Sequence, residues 1–571
     1  MRVRASVVAL SIVGTLLAIV LTTRFHQDLR GANRDPRTAA AATFSWPWGS
    51  GPLVNNPALG NGVKVLTYHN DVARTGQNLE EKILTPRNVN SDSFGKLGFF
   101  SVDGLVDAEP LYVSNLTIAG HPHNVVFVAT EHDSVYAFDA DTLAQLWHVS
   151  VLAPSETPSD DRRCGQVSPE IGITSTPVIA SNSAGRPLMY LVAMSKDASG
   201  NYFQRLHALD VTTGAEISGS PTTIEATFPN LHGETTFDPK QYKERASLLL
   251  LDGNIYTSWA SHCDNGEYTG WVIGYSASTL KRVSVLNVTP NGSDGAIWMS
   301  GAGPAADAQG NIYLLDGNGT FDNTFDPAGF PIHGDFGNGF LKLSAGGVKL
   351  SVADYFNMRN TNAESSADQD LGSGGALLLP DVRDSSGKIW QLAVGAGKDA
   401  RIYVVNRNSM GKFNTRTNNA IYQEIDKALA GGVYSMPAYF NDTVYFGADG
   451  DFLKAFSIAN AKLVRNPVSK TSAKFEYPGT TPSISSNGAS NGIVWAVEAR
   501  GSEAGVLHAY DASNLANELY NSNQAGARDN FSDNKYITPM IANGKVFVGT
   551  ATGVIVFGLL PPKPAQVPSR Q

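Results

Sequence analysis

The residue types that most often carry chemistry are sparse in this sequence and poorly spaced for it. The two cysteines, Cys164 and Cys263, provide neither a Cys-x-x-Cys zinc site nor the Cys-x-x-Cys-His motif that attaches haem. They could form a disulfide bond in an oxidising compartment or remain two free thiols. The stretch Gly488–Gly492, GASNG, fits the Gly-x-Ser-x-Gly pattern of serine hydrolases, but it lies between two predicted strands and indicates a hairpin turn. Neither pattern predicts a catalytic centre by itself.

The composition favours a turn-rich all-β protein. Of the 571 residues, 42% are hydrophobic and 17% are charged, and the chain contains 56 glycines and 29 prolines. These values exclude a collagen, a coiled coil and a disordered acidic chain. The formal net charge is −9 and no long run of basic residues occurs, which argues against a nucleic-acid-binding face.

The first residues predict a location outside the cytoplasm. Residues 5–23 are uncharged and mainly apolar, and as a helix they would reach about 28 Å, enough to span a bilayer. Charged residues follow directly, which favours an uncleaved membrane anchor over a cleaved signal peptide, the open alternative. Residues 24–63 are then an extracytoplasmic linker, and residues 561–571 a disordered proline-rich tail. We expect a periplasmic protein held at the inner membrane, whose partner is an envelope protein or a small molecule.

One strand pattern recurs along residues 64–560 at intervals of 45 to 72 residues. Each copy has a short inner strand, a second strand that ends in a turn, and a third strand of the type HALD or AYDA. An outer strand follows in most copies, so each repeat is expected to form one four-stranded antiparallel blade. Eight copies can be placed, and their inner strands open near Pro110, Pro177, Ser247, Pro304, Ala376, Pro437, Pro482 and Pro539.

The two ends of the repeat region are expected to pair. The last repeat ends at GVIVFGLL without an outer strand, whereas FGKLGFFSV, Phe94–Val102, precedes the first repeat and resembles one. Pairing of this stretch with Val554–Phe557 would remove the exposed sheet edges. The sequence therefore predicts a single eight-bladed β-propeller closed by its N- and C-terminal strands. The stretch Tyr68–Asn78, just before the ring, is polar and turn-forming and could lie across one face of it.

Two stretches in the repeats resemble the blade-docking motif Ala-x-Asp-x-x-Thr-Gly-x-x-x-Trp of the dehydrogenases that use pyrroloquinoline quinone (PQQ). They are AFDADTLAQLW, Ala137–Trp147, and HALDVTTG, His207–Gly214. In such a motif Asp and Thr cap a tight turn, Gly supplies a positive φ, and Trp packs between neighbouring sheets. The resemblance implies the propeller fold of these enzymes. It does not imply catalysis, because the motifs build blades and not a pocket.

Three further stretches resemble pocket segments of the same family. DGAIWMSGAGPAADAQGNIYLLDGNGT implies Trp298 as the aromatic floor under the quinone and Asn318 as a calcium ligand. ADQDLGSGGALLLP implies Asp370 as the general base next to the calcium ion, and VGAGKDARIYVVNR implies Lys398 as a contact of the cofactor. PQQ is a flat, polycarboxylate o-quinone, so an indole face, a lysine and oxygen ligands for Ca²⁺ would each suit it.

Other positions depart from the family pattern. The adjacent Cys-Cys pair beside the cofactor is reduced to the single Cys164, and the Arg expected shortly after it has no counterpart. The family's glutamate ligand for calcium falls in LVAMSKDASGNYF, where Asp197 is the only carboxylate. Glu170 is a further candidate for a carboxylate in the pocket. No haem motif is present, so electrons would have to pass to an external acceptor.

Two functions are consistent with these residues. One is a PQQ- and Ca²⁺-dependent dehydrogenase that oxidises an alcohol or a sugar. The other is a non-catalytic PQQ-like propeller that binds a ligand or a partner protein in the cell envelope. The four matched residues favour the dehydrogenase, and the departures from the family favour the scaffold. We give the departures slightly more weight, because a propeller can lose the binding residues of its central channel and still fold. It cannot lose the residues that build its blades.

Overall fold

The structure, a computed structural model, describes residue 59 and residues 62–182, 185–346, 349–499 and 504–562. Eight antiparallel sheets follow one another along the chain as the blades of a β-propeller, which confirms the predicted all-β class and the number of blades. The predicted anchor, most of the predicted linker and nearly all of the predicted tail lie outside the described residues. Among the described residues, none of the helices is long and apolar enough to cross a membrane.

Each blade contains four main strands. In the order inner, second, third and outer strand, blade 1 has Leu111–Ile118, His121–Ala129, Ser134–Asp139 and Gln145–Ser150; blade 2 has Val178–Ser181, Pro187–Asp197, Tyr202–Asp210 and Thr222–Thr223; blade 3 has Leu249–Leu251, Asn254–Ala260, Trp271–Ser276 and Arg282–Asn287; and blade 4 has Ala305–Ala306, Asn311–Leu315, Gly339–Ser344 and Ser351–Asn357. Blade 5 has Ala376–Leu378, Leu392–Ala396, Ile402–Asn406 and Gln423–Ile425; blade 6 has Ala438–Phe440, Thr443–Gly447, Asp451–Ala459 and Ser469–Phe475; blade 7 has Ser483–Asn487, Ser490–Glu498, Ala504–Asp511 and Glu518–Asn521; and blade 8 has Met540–Ala542, Lys545–Thr550, Gly553–Leu559 and Phe94–Ser101.

Short elements connect and extend the blades. Additional strands join the sheets at Lys64–Val65, Gln77–Asn78, Glu156–Asp160, Glu170–Ile171, Lys243–Glu244, Lys462–Leu463 and Phe531–Ser532. Two separate hairpins are formed by Thr227–Asn230 with Gly233–Thr236 and by Val382–Arg383 with Ile389–Trp390. The described helices are the α-helix Thr361–Ser366 and the 3₁₀ helices Met299–Gly301, Leu371–Ser373 and Ser522–Arg528.

The ring closes as the sequence predicted. Phe94–Ser101 pairs in antiparallel register with Gly553–Leu559 and supplies the outer strand of blade 8. Phe94 is fully buried, and its ring contacts Trp495 and Tyr520 of blade 7 at centroid distances of 5.4 and 5.0 Å. The closing strand is therefore held by hydrophobic packing as well as by backbone hydrogen bonds.

The blade-docking motif packs neighbouring sheets as its residue types suggested. The Asp139 carboxylate accepts hydrogen bonds from the backbone N–H groups of Asp141 and Thr142 and so fixes the turn before the outer strand. The Trp147 indole N–H donates to a backbone carbonyl of the next blade at 3.1 Å. A Cβ atom on Gly214 would lie 2.8 Å from the Trp147 ring, and Gly214 has a φ of +72°, so both contact and conformation require glycine there.

The residues just before the ring run through its centre. Residues 62–78, called here the channel segment, hydrogen-bond to the inner strand region of every blade. The contacts are the pairing of Lys64–Val65 with blade 1 and the hydrogen bonds Ile179 N to Leu66 O, Arg74 Nη2 to Leu248 O, Ala306 N to Val72 O, Leu378 N to Ala73 O, Tyr439 N to Thr75 O, Ile484 N to Gly76 O and Asn78 Nδ2 to Ile541 O. The expectation that Tyr68–Asn78 lies across one face was wrong, because these residues lie among the inner strands.

Arg74 fixes the middle of the channel segment. Its side chain is fully buried. The guanidinium donates hydrogen bonds of 2.8 to 3.1 Å to Thr67 Oγ1, Tyr68 O, Pro304 O and Leu248 O. A planar group with five N–H donors can satisfy carbonyls that point at it from several directions, which an ammonium cannot do equally well.

Candidate functional site

A cavity of about 280 Å³ lies at one end of the central channel. Most of its lining residues occur a few positions before an inner strand, whereas the channel segment contacts the inner strands themselves. The lining residues are Gln166, Lys243, Arg245, Cys263, Asp264, Trp298, Ser300, Asn318, Asp368, Asp370, Ser373, Lys398, Tyr434, Tyr477 and Tyr536. They come from the connections of blades 2 to 8, so the ring as a whole builds the site.

The four pocket residues implied by the resemblance converge on this cavity. Trp298, Asn318, Asp370 and Lys398 all line it, although they are spread over four separate stretches of blades 4 and 5. The convergence that the sequence predicted is therefore found. Their roles in binding and catalysis remain predictions.

A close approach of two backbones positions Asp370. The residue precedes the 3₁₀ helix Leu371–Ser373, and the backbone N–H of Leu371 donates to Asn338 Oδ1 at 2.8 Å. A Cβ atom on Gly372 would lie 2.3 Å from the backbone carbon of Asp316, so only glycine allows this loop to pack against the second strand of blade 4. The DLGSGG sequence thus sets where the Asp370 carboxylate lies.

Lys398 joins two aspartates. Its Nζ lies 2.5 Å from Asp368 Oδ1 and 2.7 Å from Asp370 Oδ1. Asp370 is only 2% exposed, and burial raises the pKa of its carboxyl, an effect that the Lys398 charge opposes. Burial also works against the ammonium, but the two aspartates together raise the pKa of Lys398. The two aspartates thus stabilise the charged form of Lys398, while burial and the Lys398 charge act in opposite directions on Asp370.

Two buried oxygens beside this ion pair have no partner. Asn318 Nδ2 donates to Asp368 Oδ1 at 2.7 Å, which leaves Asn318 Oδ1 without a hydrogen bond from any described residue. Asp370 Oδ2 is likewise buried and without a partner in the described part of the chain. Buried polar atoms in folded proteins are nearly always satisfied, and amide and carboxylate oxygens are the donors that Ca²⁺ prefers. Asn318 Oδ1 is thus of the type that the hard cation implied by the resemblance would need, although among the described residues no group of three or more Asp, Glu, His or Cys side chains is placed to hold a metal ion.

Trp298 lies directly against the strand end that carries Asn318. A Cβ atom on Gly317 would come within 2.7 Å of Trp298 Cδ1, so the indole packs against this backbone only because residue 317 has no side chain. The ring of Tyr268 is perpendicular to the indole, with the ring centroids 6.5 Å apart. An indole held in this way can offer a face to a flat ligand in the cavity.

Asp197 is not brought to the cavity. It ends the second strand of blade 2, which has 11 residues, compared with seven in blade 3, and the hairpin therefore extends past the cavity. There Asp197 accepts hydrogen bonds from the backbone of Ser199 and Asn201 and stabilises an exposed turn. The prediction of Asp197 as a calcium ligand has no support in this position.

A different carboxylate lines the cavity. Asp264 follows the second strand of blade 3, one residue after Cys263, and accepts a hydrogen bond from the Tyr268 hydroxyl. The segment in which the resemblance placed a carboxylate lies in blade 2, and the only sequence signal of Asp264 in blade 3 was its place beside a cysteine. Glu170, the other carboxylate considered, instead accepts from His132 Nδ1 at 2.9 Å and does not line the cavity.

The two cysteines are bonded. Cys164 and Cys263 have Cα atoms 5.2 Å apart and form a disulfide between residues 99 positions apart in the sequence. The bond ties the connection before the inner strand of blade 2 to the loop after the second strand of blade 3, and Cys263 lines the cavity. It settles the choice between a disulfide and free thiols that the sequence left open.

Three tyrosines form a second aromatic wall. Tyr434, Tyr477 and Tyr536 come from the connections that lead into blades 6, 7 and 8. The hydroxyls of Tyr477 and Tyr536 lie 2.5 Å apart, and Tyr536 donates to Gln166 Oε1 at 3.1 Å. The Arg245 guanidinium lies over the Tyr536 ring at 4.9 Å from its centre. Tyr434 and Tyr536 occupy the same position, three residues before the proline that opens an inner strand, and this repeated position is a sequence signal that the motifs did not include.

Comparison with solved structures agrees with this fold. The chain superimposes on quinohemoprotein alcohol dehydrogenase from Comamonas testosteroni with a TM-score of 0.57 and 12% identity, covering 89% of this chain and 82% of that one. For quinohemoprotein alcohol dehydrogenase ADHIIG from Pseudomonas putida HK5 the TM-score is 0.58 and the identity is 14%, and the match covers 89% of this chain and 82% of that one. A europium-containing methanol dehydrogenase gives 0.58 and 12%, with 88% of this chain and 99% of that chain covered. No protein-family model and no curated protein matches the sequence.

The fold is therefore that of the eight-bladed quinoprotein dehydrogenases. At 12 to 14% identity the likeness concerns the fold, and the site must be argued from its own residues.

Proposed function

We propose that the protein is a PQQ-dependent dehydrogenase that oxidises an alcohol or a sugar, with Ca²⁺ or a similar hard cation beside the cofactor. The observation that carries this proposal is the convergence of Trp298, Asn318, Asp370 and Lys398 on one cavity at the end of the channel. The structural neighbours are two quinohemoprotein alcohol dehydrogenases and a methanol dehydrogenase, which supports the same substrate class.

Asp370 is the proposed base. When bound, PQQ would supply the acceptor for the hydride that leaves the alcohol carbon. Asp370 Oδ2, which has no hydrogen-bond partner among the described residues, would take the hydroxyl proton. Lys398 holds the other oxygen at 2.7 Å and so fixes the orientation of the carboxylate. Burial raises the pKa of Asp370 and makes it a better proton acceptor in the protein than an exposed aspartate would be.

The cation would be held by oxygens of this cavity. Asn318 Oδ1 is buried without a partner, and Asp264 adds a carboxylate from blade 3. Both are ligand types that Ca²⁺ prefers. A cation beside Asp370 would favour its ionised form and so keep the base ready at neutral pH.

The disulfide supports the expected compartment. Bonds such as Cys164–Cys263 persist in oxidising environments, including the bacterial periplasm. A periplasmic location, membrane attachment through residues 5–23 and transfer of electrons to an external acceptor thus form one consistent proposal with the dehydrogenase function.

A non-catalytic ligand-binding propeller is the second candidate function. It is favoured by the double ion pair of Lys398, which engages Asp368 as well as one oxygen of Asp370. It is also favoured by the disulfide, which joins two blades and does not form the adjacent pair expected beside the cofactor. This candidate predicts that the protein binds a ligand in the cavity without oxidising an alcohol.

The two candidates are separated by reconstitution. We would mix the purified full-length protein with PQQ and Ca²⁺, pass it over a gel-filtration column and record the quinone absorbance of the protein peak. Bound protein would then be assayed for reduction of a dye with simple alcohols and aldoses. Binding with substrate-dependent dye reduction supports the dehydrogenase, and binding without reduction supports the ligand-binding propeller. A protein that retains no PQQ at micromolar concentration would rule out the first proposal.

A further inference from the structure

Two buried cations line the cavity without an ion-pair partner among the described residues. Lys243 is 2% exposed and Arg245 is 6% exposed, and both line the cavity. In the part of the chain that the structure describes, neither side chain forms an ion pair within 4.0 Å, and neither donates a hydrogen bond; Arg245 has only the face of Tyr536 beneath it. The third cation of the cavity, Lys398, differs from them because it is neutralised by two aspartates.

Burying such a pair without a counter-ion is unfavourable. A charge that is removed from water loses its hydration, and only a partner of opposite charge or hydrogen bonds compensate for that loss. Burial and the neighbouring Arg245 charge both lower the pKa of Lys243, to about 8, and the more distant acids Asp107 and Glu131 only partly oppose this. An anion between the two cations would relieve the loss of hydration and their mutual repulsion.

The backbone holds the two cations on one side of the cavity. The strand Lys243–Glu244 and the inner strand Leu249–Leu251 both pair with the second strand of blade 3, so Lys243 continues the inner edge of that blade towards the cavity. Arg245 directly follows this strand, and in an extended chain the side chains at positions i and i+2 project to the same side from Cα atoms about 6.6 Å apart. That spacing suits two carboxylates of one ligand, or one carboxylate shared between an ammonium and a guanidinium.

We propose that Lys243 and Arg245 are an anion-binding pair that holds the carboxylates of the ligand in this cavity. The inference rests on the proposed function, because PQQ is the polycarboxylate that the site is proposed to bind. In the family pattern an Arg shortly after the cysteine pair contacts the cofactor's carboxylates, and it has no counterpart after Cys164. Lys243 and Arg245 would make this contact instead. With the carboxylates held at blade 3, the quinone end of the ligand is directed towards Lys398 and Asp370 at blade 5, where its chemistry is required.

Binding of PQQ and of its trimethyl ester tests the proposal. The ester keeps the flat ring and removes the negative charges. We would titrate both compounds, with Ca²⁺ present, into the wild type, into K243Q/R245Q and into the control K240Q, an exposed lysine in a nearby turn that does not line the cavity. Quenching of tryptophan fluorescence gives the dissociation constant, and circular dichroism verifies the fold of each variant.

We expect the double variant to bind PQQ about 100-fold more weakly than the wild type, because two charge-assisted contacts are lost, while K240Q binds like the wild type. The ester should bind the wild type and the double variant equally weakly. Equal affinity of PQQ for the wild type and the double variant, or equal affinity of the wild type for PQQ and its ester, would overturn the proposal. The ester comparison uses only the wild type and so remains decisive if the double variant does not fold.

A second measurement separates this inference from the proposed function. Citrate, a tricarboxylate without a quinone, should raise the melting temperature of the wild type by several degrees and leave that of K243Q/R245Q unchanged. If PQQ does not bind but citrate shows this difference, the anion-binding pair stands and the PQQ proposal falls. If neither anion distinguishes the two proteins, the pair is not an anion site.

Discussion

The two oxygens of Asp370 have different environments, and this difference determines what the residue can do. Oδ1 is held by Lys398, whereas Oδ2 has no partner among the described residues. A proton acceptor needs such an available lone pair, and it also needs a neighbour that keeps the carboxylate in place. In the proposed role, Lys398 fixes the orientation of the carboxylate through Oδ1, and Oδ2 is the oxygen that would accept the proton.

The first prediction concerns this oxygen. In protein reconstituted with PQQ and Ca²⁺, Asp370→Asn should lower alcohol-dependent dye reduction by about 10²- to 10⁴-fold, because an amide cannot accept the proton. PQQ retention in gel filtration should change little. Asp197→Asn is the matched control, since Asp197 lies in an exposed turn and Asn keeps an acceptor for that turn. Undiminished turnover in Asp370→Asn would exclude this residue as the base.

A second prediction concerns Glu109, which lies against the channel segment. Its Oε2 accepts a hydrogen bond from the His69 backbone N–H at 2.8 Å, and burial raises its pKa to about 8. The folded protein thus prefers the neutral acid. The stability that this preference contributes is complete below the unfolded pKa of about 4.3 and is lost as the pH rises through about 8.

Glu109→Gln should therefore flatten the pH dependence of stability. Glutamine keeps an oxygen acceptor for the His69 N–H but cannot ionise. Between pH 5 and pH 9 the melting temperature of the wild type should fall further than that of Glu109→Gln, as measured by calorimetry. If the melting temperatures of the two proteins changed in parallel with pH, ionisation of Glu109 would not destabilise the folded protein.

At the scale of the elements, the channel segment joins the blades through one buried arginine. Replacement of Arg74 by Met should lower the free energy of unfolding by about 3 kcal/mol or more, because carbonyls of two blades and of the segment itself lose a charged donor inside the protein. Urea unfolding measures the difference. Arg87→Met is the control at an exposed site and should change stability by no more than about 0.5 kcal/mol. Equal effects of both substitutions would contradict a central role for Arg74.

Some elements of this fold could be predicted from the sequence, and others could not. The blades could be predicted, because the strands and their turns recur from repeat to repeat. The blade-docking motif that contains Trp147 resembles a second stretch of the chain. The loops that carry Lys243 and Asp264 follow no repeat, so their approach to the cavity depends on three-dimensional structure alone. The channel segment escaped prediction for a related reason: most of its contacts use backbone groups, and those leave no pattern in the side chains.

For the molecule as a whole, the disulfide links blades 2 and 3 at the edge of the cavity. Replacing Cys164 and Cys263 together by serine should lower the unfolding free energy by about 2–4 kcal/mol, because the bond closes a long loop in the unfolded chain. Unfolding of the wild type in a strong reductant provides the matched control and should give the stability of the double variant. An unchanged midpoint in denaturant would mean that the bond adds nothing to the stability of the ring.

The channel segment also has a consequence for how the protein is made. A ribosome releases residues 62–78 before any blade exists, yet the contact from Asn78 to Ile541 joins residues 463 positions apart. At about 5–20 residues per second, the segment waits roughly 25–90 seconds for its last partner to be synthesised. In a nascent chain that lacks blade 8, the ring is still open and the channel segment lacks its contact with that blade. Synthesis of blade 8, and not the folding of the earlier blades, therefore sets the earliest moment at which the ring can close around the channel segment.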